Sequence, residues 1–184
     1  MKITETLLQG VLFVEPAVFG DHRGWFMETY SGAKFKELGI DMDFVQDNQS
    51  YSATKGTLRG LHYQLHPKAQ TKLIRCTRGA IFDVAVDLRK GSPTYSQWFG
   101  IELSAENKKQ LLIPKGFAHG FMTLIEDVEV QYKCDEFYAP ECDGGILWND
   151  PAIGIEWPLH VTPVLSAKDE KAPLLKDADL NFNY

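Results

Sequence analysis

The stretch Ala80-Ile81-Phe82-Asp83-Val84-Ala85-Val86-Asp87-Leu88 decides the fold class. Phe82, Val84, Val86 and Leu88 alternate with Ile81, Asp83, Ala85 and Asp87, the period of a half-buried strand and not the 3.6-residue period of a helix. Working outward, shorter runs of the same kind recur at 9-14, 25-30, 43-50, 57-64, 70-76, 94-103, 110-113, 117-124 and 127-134. Turn signals such as Gly20-Asp21, Lys55-Gly56, Arg78-Gly79 and Gly91-Ser92-Pro93 divide them. Many short strands at close spacing predict a mainly β sandwich or barrel. Helical patterns are few: 32-38 follows Ser31 as N-cap and stops at Gly39, and 167-171 follows Ser166. With no internal repeat, low-complexity tract or linker, the 184 residues are expected to form one domain, 1-184.

Composition narrows the function classes. Apolar residues at 44% and charged residues at 24% are ordinary for a globular protein, so neither a disordered tail nor a fibre is indicated. The formal charge is −6, and Lys and Arg are scattered, so no basic stripe is present to displace counterions from a nucleic acid polymer. A few convergent cations still suffice for a small anionic ligand. Cys76, Cys134 and Cys142 are odd in number and include no Cys-x-x-Cys pair, which speaks against a disulfide framework and a structural zinc site. No apolar run is long enough to span a membrane, and the N-terminus lacks a signal-peptide pattern. The expected location is the cytoplasm.

In a small barrel alternate residues point inward. Lys72 shares parity with Ile74, His119 with Phe117 and Phe121, and Tyr132 with Val128 and Val130. Buried Lys, His and Tyr without partners are costly, so these three need either mutual pairing or a solvated cleft, the usual form of a binding site.

Pro114-Lys115-Gly116-Phe117-Ala118-His119-Gly120 resembles the second sequence motif of the cupins, double-sheet jelly rolls in which a Pro-x-Gly turn precedes an inward His. Metal-binding cupins carry a His-x-His pair in their first motif, whereas the matching strand here reads Gly60-Leu61-His62-Tyr63-Gln64. His62 and His119 supply two ligands where catalytic metal sites commonly use about three. The pattern resembles a metal-free cupin whose histidines do proton chemistry.

A longer series of blocks makes the resemblance specific. Gly20 to Phe26, Gln46 to Ser50, Gly56 to Gln64, Lys72-Leu73-Ile74, Pro114 to Phe121 and Tyr132-Lys133-Cys134 are similar, in order, to the dTDP-4-dehydrorhamnose 3,5-epimerase family. The resemblance implies a cupin-type double-sheet jelly roll with a few short helices, a homodimer that buries apolar strands near the N-terminus, and no cofactor or metal. It implies inversion of carbons 3 and 5 of a dTDP-linked 4-keto-6-deoxyglucose on the route to dTDP-L-rhamnose. A hydrogen beside a ketone leaves as a proton if a base sits over it and the enolate oxygen is stabilised. By resemblance His62 is the base, Asp169 orients it, Tyr132 is the acid on the opposite face and Lys72 stabilises the enolate. Arg23, Arg59, His119 and Lys168 match groups around the diphosphate. Glu28, Gln46, Asn48 and Asp143 match positions that bond the nucleoside or sugar, and Tyr138 matches an aromatic that stacks on thymine. Asp83, on a strand face shared with Asp87, is placed to orient His119 or Lys72.

Each residue also has a plainer reading. His119 alone suits a satisfied core histidine, Tyr132 a barrel residue with its hydroxyl at the rim, Lys72 and Arg59 solvated charges, Arg23 a turn, and Asp169 the acidic first turn of a short helix. Arg59 and His62 are three apart, so a regular strand sends them to opposite faces; Gly60 between them suggests a bulge that re-aims one. The rival functions are a single-carbon epimerase of a related dTDP-keto-sugar, a metal-dependent cupin enzyme, and a non-catalytic sugar-nucleotide binding module.

Overall fold

The computed structural model describes residues 1–158 and 160–184. Six strands form one antiparallel sheet, in the order β1 (Lys2–Glu5), β2 (Leu12–Glu15), β10 (Gln110–Ile113), β7 (Lys72–Arg78), β12 (Val128–Cys134) and β5 (Gln46–Ser52). Five form a second, in the order β13 (Asp143–Gly145), β6 (Leu58–Gln64), β11 (Phe117–Thr123), β8 (Ala80–Asp87) and β9 (Trp98–Ser104). A separate hairpin pairs β3 (Val18–Asp21) with β4 (Gly24–Met27). Two short helices complete the set, α1 (Gly32–Glu37) and α2 (Ala167–Glu170), capped by Ser31 and Ser166 as the sequence predicts.

The sheets pack face to face through the residues whose parity pointed inward. Ile74, Cys76, Leu111, Ile113, Val128 and Val130 of the six-stranded sheet meet Ile81, Ala85, Leu103, Phe117 and Phe121 of the five-stranded one. This is the double-sheet architecture expected. Phe35 of α1 seals the outer face of the larger sheet with Val14, Leu73 and Leu112.

β8 departs from the half-buried strand its alternation implied. Val84 and Val86 are buried on the face away from the inter-sheet core, against Ile146, Ile153, Trp157, Leu175 and Phe182. The C-terminal segment covers that face, so both sides of β8 are sealed. The strand expected at 94-103 begins only at Trp98. Asp87, fully buried, accepts from Arg89 Nε at 2.9 Å, Ser92 Oγ at 2.6 Å and Thr94 Oγ1 at 2.7 Å, and so turns the chain at 92–94. The guanidinium of Arg89 lies over the rings of Phe117 and Tyr184, fastening the C-terminus. Three strands, β1, β3 and β13, escaped the periodicity because each is only three or four residues long, and β3 includes Gly20-Asp21, read from the sequence as a turn.

Candidate active site

His62 and Asp169 meet where α2 packs against β6. Ser166 Oγ accepts from the Asp169 backbone N–H at 3.1 Å, fixing the first turn of α2 and aiming the carboxylate at the imidazole. His62 Nε2 and Asp169 Oδ1 are 2.6 Å apart. Asp169 is buried while the His62 side chain keeps 35% of its surface open. Burial pushes the Asp169 carboxyl up, but hydrogen bonds from His62, Ser166 and the Gly60 backbone outweigh it and hold the group below the usual carboxylate range.

The bulge suggested at Gly60 is present. Across the β6–β11 pair His62 faces His119 and Arg59 faces Phe121, so two residues, Gly60 and Leu61, lie opposite the single Gly120. Gly60 has φ +119°, and a Cβ there would lie 2.6 Å from Gly120 Cα and 2.7 Å from the His119 carbonyl. Two glycines therefore let the strands approach closely enough for the extra residue. Arg59 and His62 consequently line the same cavity.

That cavity, of about 390 Å³, is lined by Ser50, Arg59, His62, Lys72, His119, Tyr132, Lys168 and Asp169 among others. A second cavity of about 370 Å³ shares His62, Lys72, Tyr132 and Lys168 with it and adds Gln46, Asn48, Tyr138 and Asp143. Together they make a cleft between the sheets, within the size range of small-molecule sites. His62 and His119 come from the five-stranded sheet, Lys72 and Tyr132 from the six-stranded one.

The electrostatics are uneven. Burial lowers the Lys72 pKa, opposed by the nearby Cys134, Asp143 and Asp83, with Lys168 adding to the fall. Burial raises the Tyr132 phenol, reinforced by Cys134 and partly opposed by Arg59. Arg59 donates to Ser52 Oγ at 3.2 Å and to the Tyr51 carbonyl at 3.0 Å. Lys168 pairs with Asp143, which also accepts from the Tyr138 hydroxyl at 3.4 Å. Gln46 receives the Tyr138 backbone N–H at 3.1 Å and donates to Asn48 at 3.1 Å.

Arg23 and Glu28 stand apart. Arg23 sits at the exposed turn of the β3–β4 hairpin, 2.6 Å from Asp21, and Glu28 pairs with Lys34 at 2.7 Å. Neither lines either cavity. His66 packs its ring on Phe182. Among the described residues no three His, Cys, Asp or Glu side chains converge as a metal site, and no helix is long and apolar enough to cross a membrane. Ser50 is a lining residue that sequence reasoning missed. Its signal was present in the alternation Gln46, Asn48, Ser50, Ser52 along the inward side of β5.

The model of the family described as dTDP-4-dehydrorhamnose 3,5-epimerase matches residues 5–177. The chain is 57% identical over 179 residues to a dTDP-4-dehydrorhamnose 3,5-epimerase of Salmonella typhimurium, covering 97% of each. Among solved structures, the Legionella pneumophila dTDP-6-deoxy-D-glucose-3,5-epimerase in complex with dTDP-4-keto-L-rhamnose superposes with a TM-score of 0.95 at 47% identity, over 100% of this chain and 98% of that one. The Bacillus anthracis dTDP-4-dehydrorhamnose 3,5-epimerase with TDP and PPi bound gives 0.91 at 54% identity, over 94% and 98%.

Proposed function

The chain belongs to the dTDP-4-dehydrorhamnose 3,5-epimerase family, and from that premise we propose how its own residues invert carbons 3 and 5 of dTDP-4-keto-6-deoxy-D-glucose to give dTDP-4-keto-L-rhamnose. The observation that carries the proposal is the His62–Asp169 couple in a cleft whose other wall holds Lys72 and Tyr132. With Nε2–H donated to the Asp169 carboxylate, the lone pair of His62 is on Nδ1, an assignment made from the hydrogen bond. Nδ1 takes the proton from the carbon beside the ketone, and the C–H electrons move into the enolate. Lys72 Nζ stabilises the oxygen that becomes negative. Tyr132 then gives its phenolic proton to the opposite face of the same carbon and recovers one from solvent, while His62 releases its proton. The raised Tyr132 phenol stays protonated, as a donor must. The same cycle at the second carbon completes the reaction.

Arg59, His119 and Lys168 bind the diphosphate and its surroundings in this reading. Gln46, Asn48 and Asp143 bond the nucleoside or sugar, and the exposed ring of Tyr138 stacks on thymine. The enzyme acts in the cytoplasm, a reading favoured by three free, buried cysteines.

It works as a homodimer. The β3–β4 hairpin carries Phe19, Trp25 and Phe26 at 65%, 58% and 69% exposure, too much apolar surface to leave in water on a projecting arm. Arg23 lies at its tip and Glu28 just beyond it, both outside the cleft of their own chain. A second copy covers the hairpin and receives both residues in its site. Mixing inactive Arg23→Ala and His62→Ala proteins under exchange then restores activity, because one site of the mixed dimer has both groups. No recovery would sink the shared site.

The chemical test is incubation with dTDP-4-keto-6-deoxyglucose in heavy water, read by mass spectrometry. The expected result is deuterium at two carbons, lost in His62→Ala. Uptake at one carbon identifies a single-carbon epimerase, and tight dTDP binding with no uptake leaves a binding module.

A further inference from the structure

Two buried side-chain atoms lack a hydrogen-bond partner among the described residues, Ser50 Oγ and Asp83 Oδ2. Asp83 is the more demanding case, since a carboxyl oxygen with no partner in a low-dielectric interior is costly and calls for an explanation. The residue is fully buried on β8, between Ile81 and Ala85 of the inter-sheet core. Its other oxygen, Oδ1, lies 2.7 Å from His119 Nε2. His119 in turn stands opposite His62 on the adjacent strand. The cleft therefore holds two carboxylate–imidazole couples side by side, His62–Asp169 and His119–Asp83.

We propose that Asp83 is a positioning residue of the epimerase, fixing His119 through one oxygen and serving through the other as counter-charge for Lys72. The proposal rests on the reading of Lys72 as the group that stabilises the enolate. Among the described residues no ion pair holds Lys72, yet an ammonium half-buried in the cleft between the sheets tends to lose its proton. The charged and titratable groups around it are Cys134 and Tyr132 on its own sheet, His62, Arg59, His119 and Asp83 on the facing sheet, Asp143 on β13, and Lys168 and Asp169 on α2. Asp143 is already paired with Lys168 and Cys134 is buried, which leaves Asp83 as the carboxylate whose buried oxygen has no hydrogen-bond partner. Substrate filling the cleft displaces water and strengthens that attraction. The same carboxylate holds His119 with its proton on Nε2, so Nδ1 is the atom left for the ligand.

The test is Asp83→Asn, which keeps shape and an acceptor for His119 but removes the charge. Expected are a kcat lower by about tenfold, the equivalent of about one pKa unit, KM within a few-fold, and an alkaline limb of the kcat profile moved down by about one pH unit. A merely structural role leaves that limb where it is, and an unmoved limb with normal kcat overturns the proposal. Should the variant not fold, nitrogen NMR of histidine-labelled wild type, assigned with His119→Gln, gives a second reading. A single Nε2-protonated tautomer of the neutral ring is expected, and averaging of the two tautomers refutes the fixed pair. Failure of the catalytic reading is distinguishable, because wild type then takes up no deuterium at all.

Discussion

His62 Nε2 and Asp169 Oδ1 are 2.6 Å apart although 107 positions separate them in the chain. In the proposed mechanism the carboxylate selects the tautomer and stabilises the imidazolium that forms on proton abstraction. Asp169→Asn keeps the volume and loses both effects. Its kcat is expected to fall by about 10²- to 10⁴-fold with KM within a few-fold, measured by steady-state kinetics. An unchanged kcat would remove Asp169 from the mechanism. The carboxyl is depressed in the folded state, so its stabilising contribution is complete above about pH 3.9, the unfolded value, and is lost as pH falls through the folded one.

Tyr132→Phe separates abstraction from inversion. With the base intact and the opposite-face acid gone, deuterium still enters from the His62 side, while epimer formation drops by at least about 100-fold. Mass spectrometry and sugar NMR on one sample read both quantities. Parallel loss of the two would mean that Tyr132 does more than donate.

Gly120→Ala tests the bulge. A Cβ at Gly120 would meet the Arg59 carbonyl at 2.9 Å and Leu61 Cδ2 at 3.0 Å. Both lie on the bulged strand, and the Arg59 carbonyl is backbone that cannot turn aside. Destabilisation of about 1–3 kcal/mol is expected, with a loss of kcat/KM larger than stability explains, because Arg59 and His62 no longer share a face. Denaturant unfolding and kinetics on the same preparation decide it, and a variant of native stability and activity refutes the packing argument.

Asp87→Asn concerns stability alone. Burial pushes the Asp87 carboxyl up, but Arg89, Ser92 and Thr94 outweigh that and hold it low. The variant is expected to lose about 3 kcal/mol, seen as a lower denaturation midpoint near neutral pH. The deficit shrinks in acid: the wild-type contribution is present above about pH 3.9 and disappears as pH falls through the depressed folded value. A deficit independent of pH would point to packing and not to charge.

Much of this molecule is legible from local rules. Alternation places Lys72, His119 and Tyr132 with apolar neighbours of the same parity, and all three line the cleft. Ser31 and Ser166 mark the two helices because an N-cap is a contact within one turn. The order of the blocks from Gly20 to Tyr132 identifies the family. Such signals survive in one dimension because strand parity and capping depend on residues a few positions apart.

Local pattern in the chain suffices for the class of fold, the faces of its strands and the residue types of the cleft. Only the tertiary structure decided that Asp169 reaches His62, that Asp83 reaches His119 with one oxygen to spare, that β8 is sealed on both sides, and that Arg23 and Glu28 lie outside the cleft of their own chain. Each depends on how distant segments pack. The close crossing of Gly60 and Gly120 sets the register that brings Arg59 and His62 to one face, and the C-terminal segment lays α2 against β6. Parity says which way a side chain points, but what it meets there is set by the other sheet.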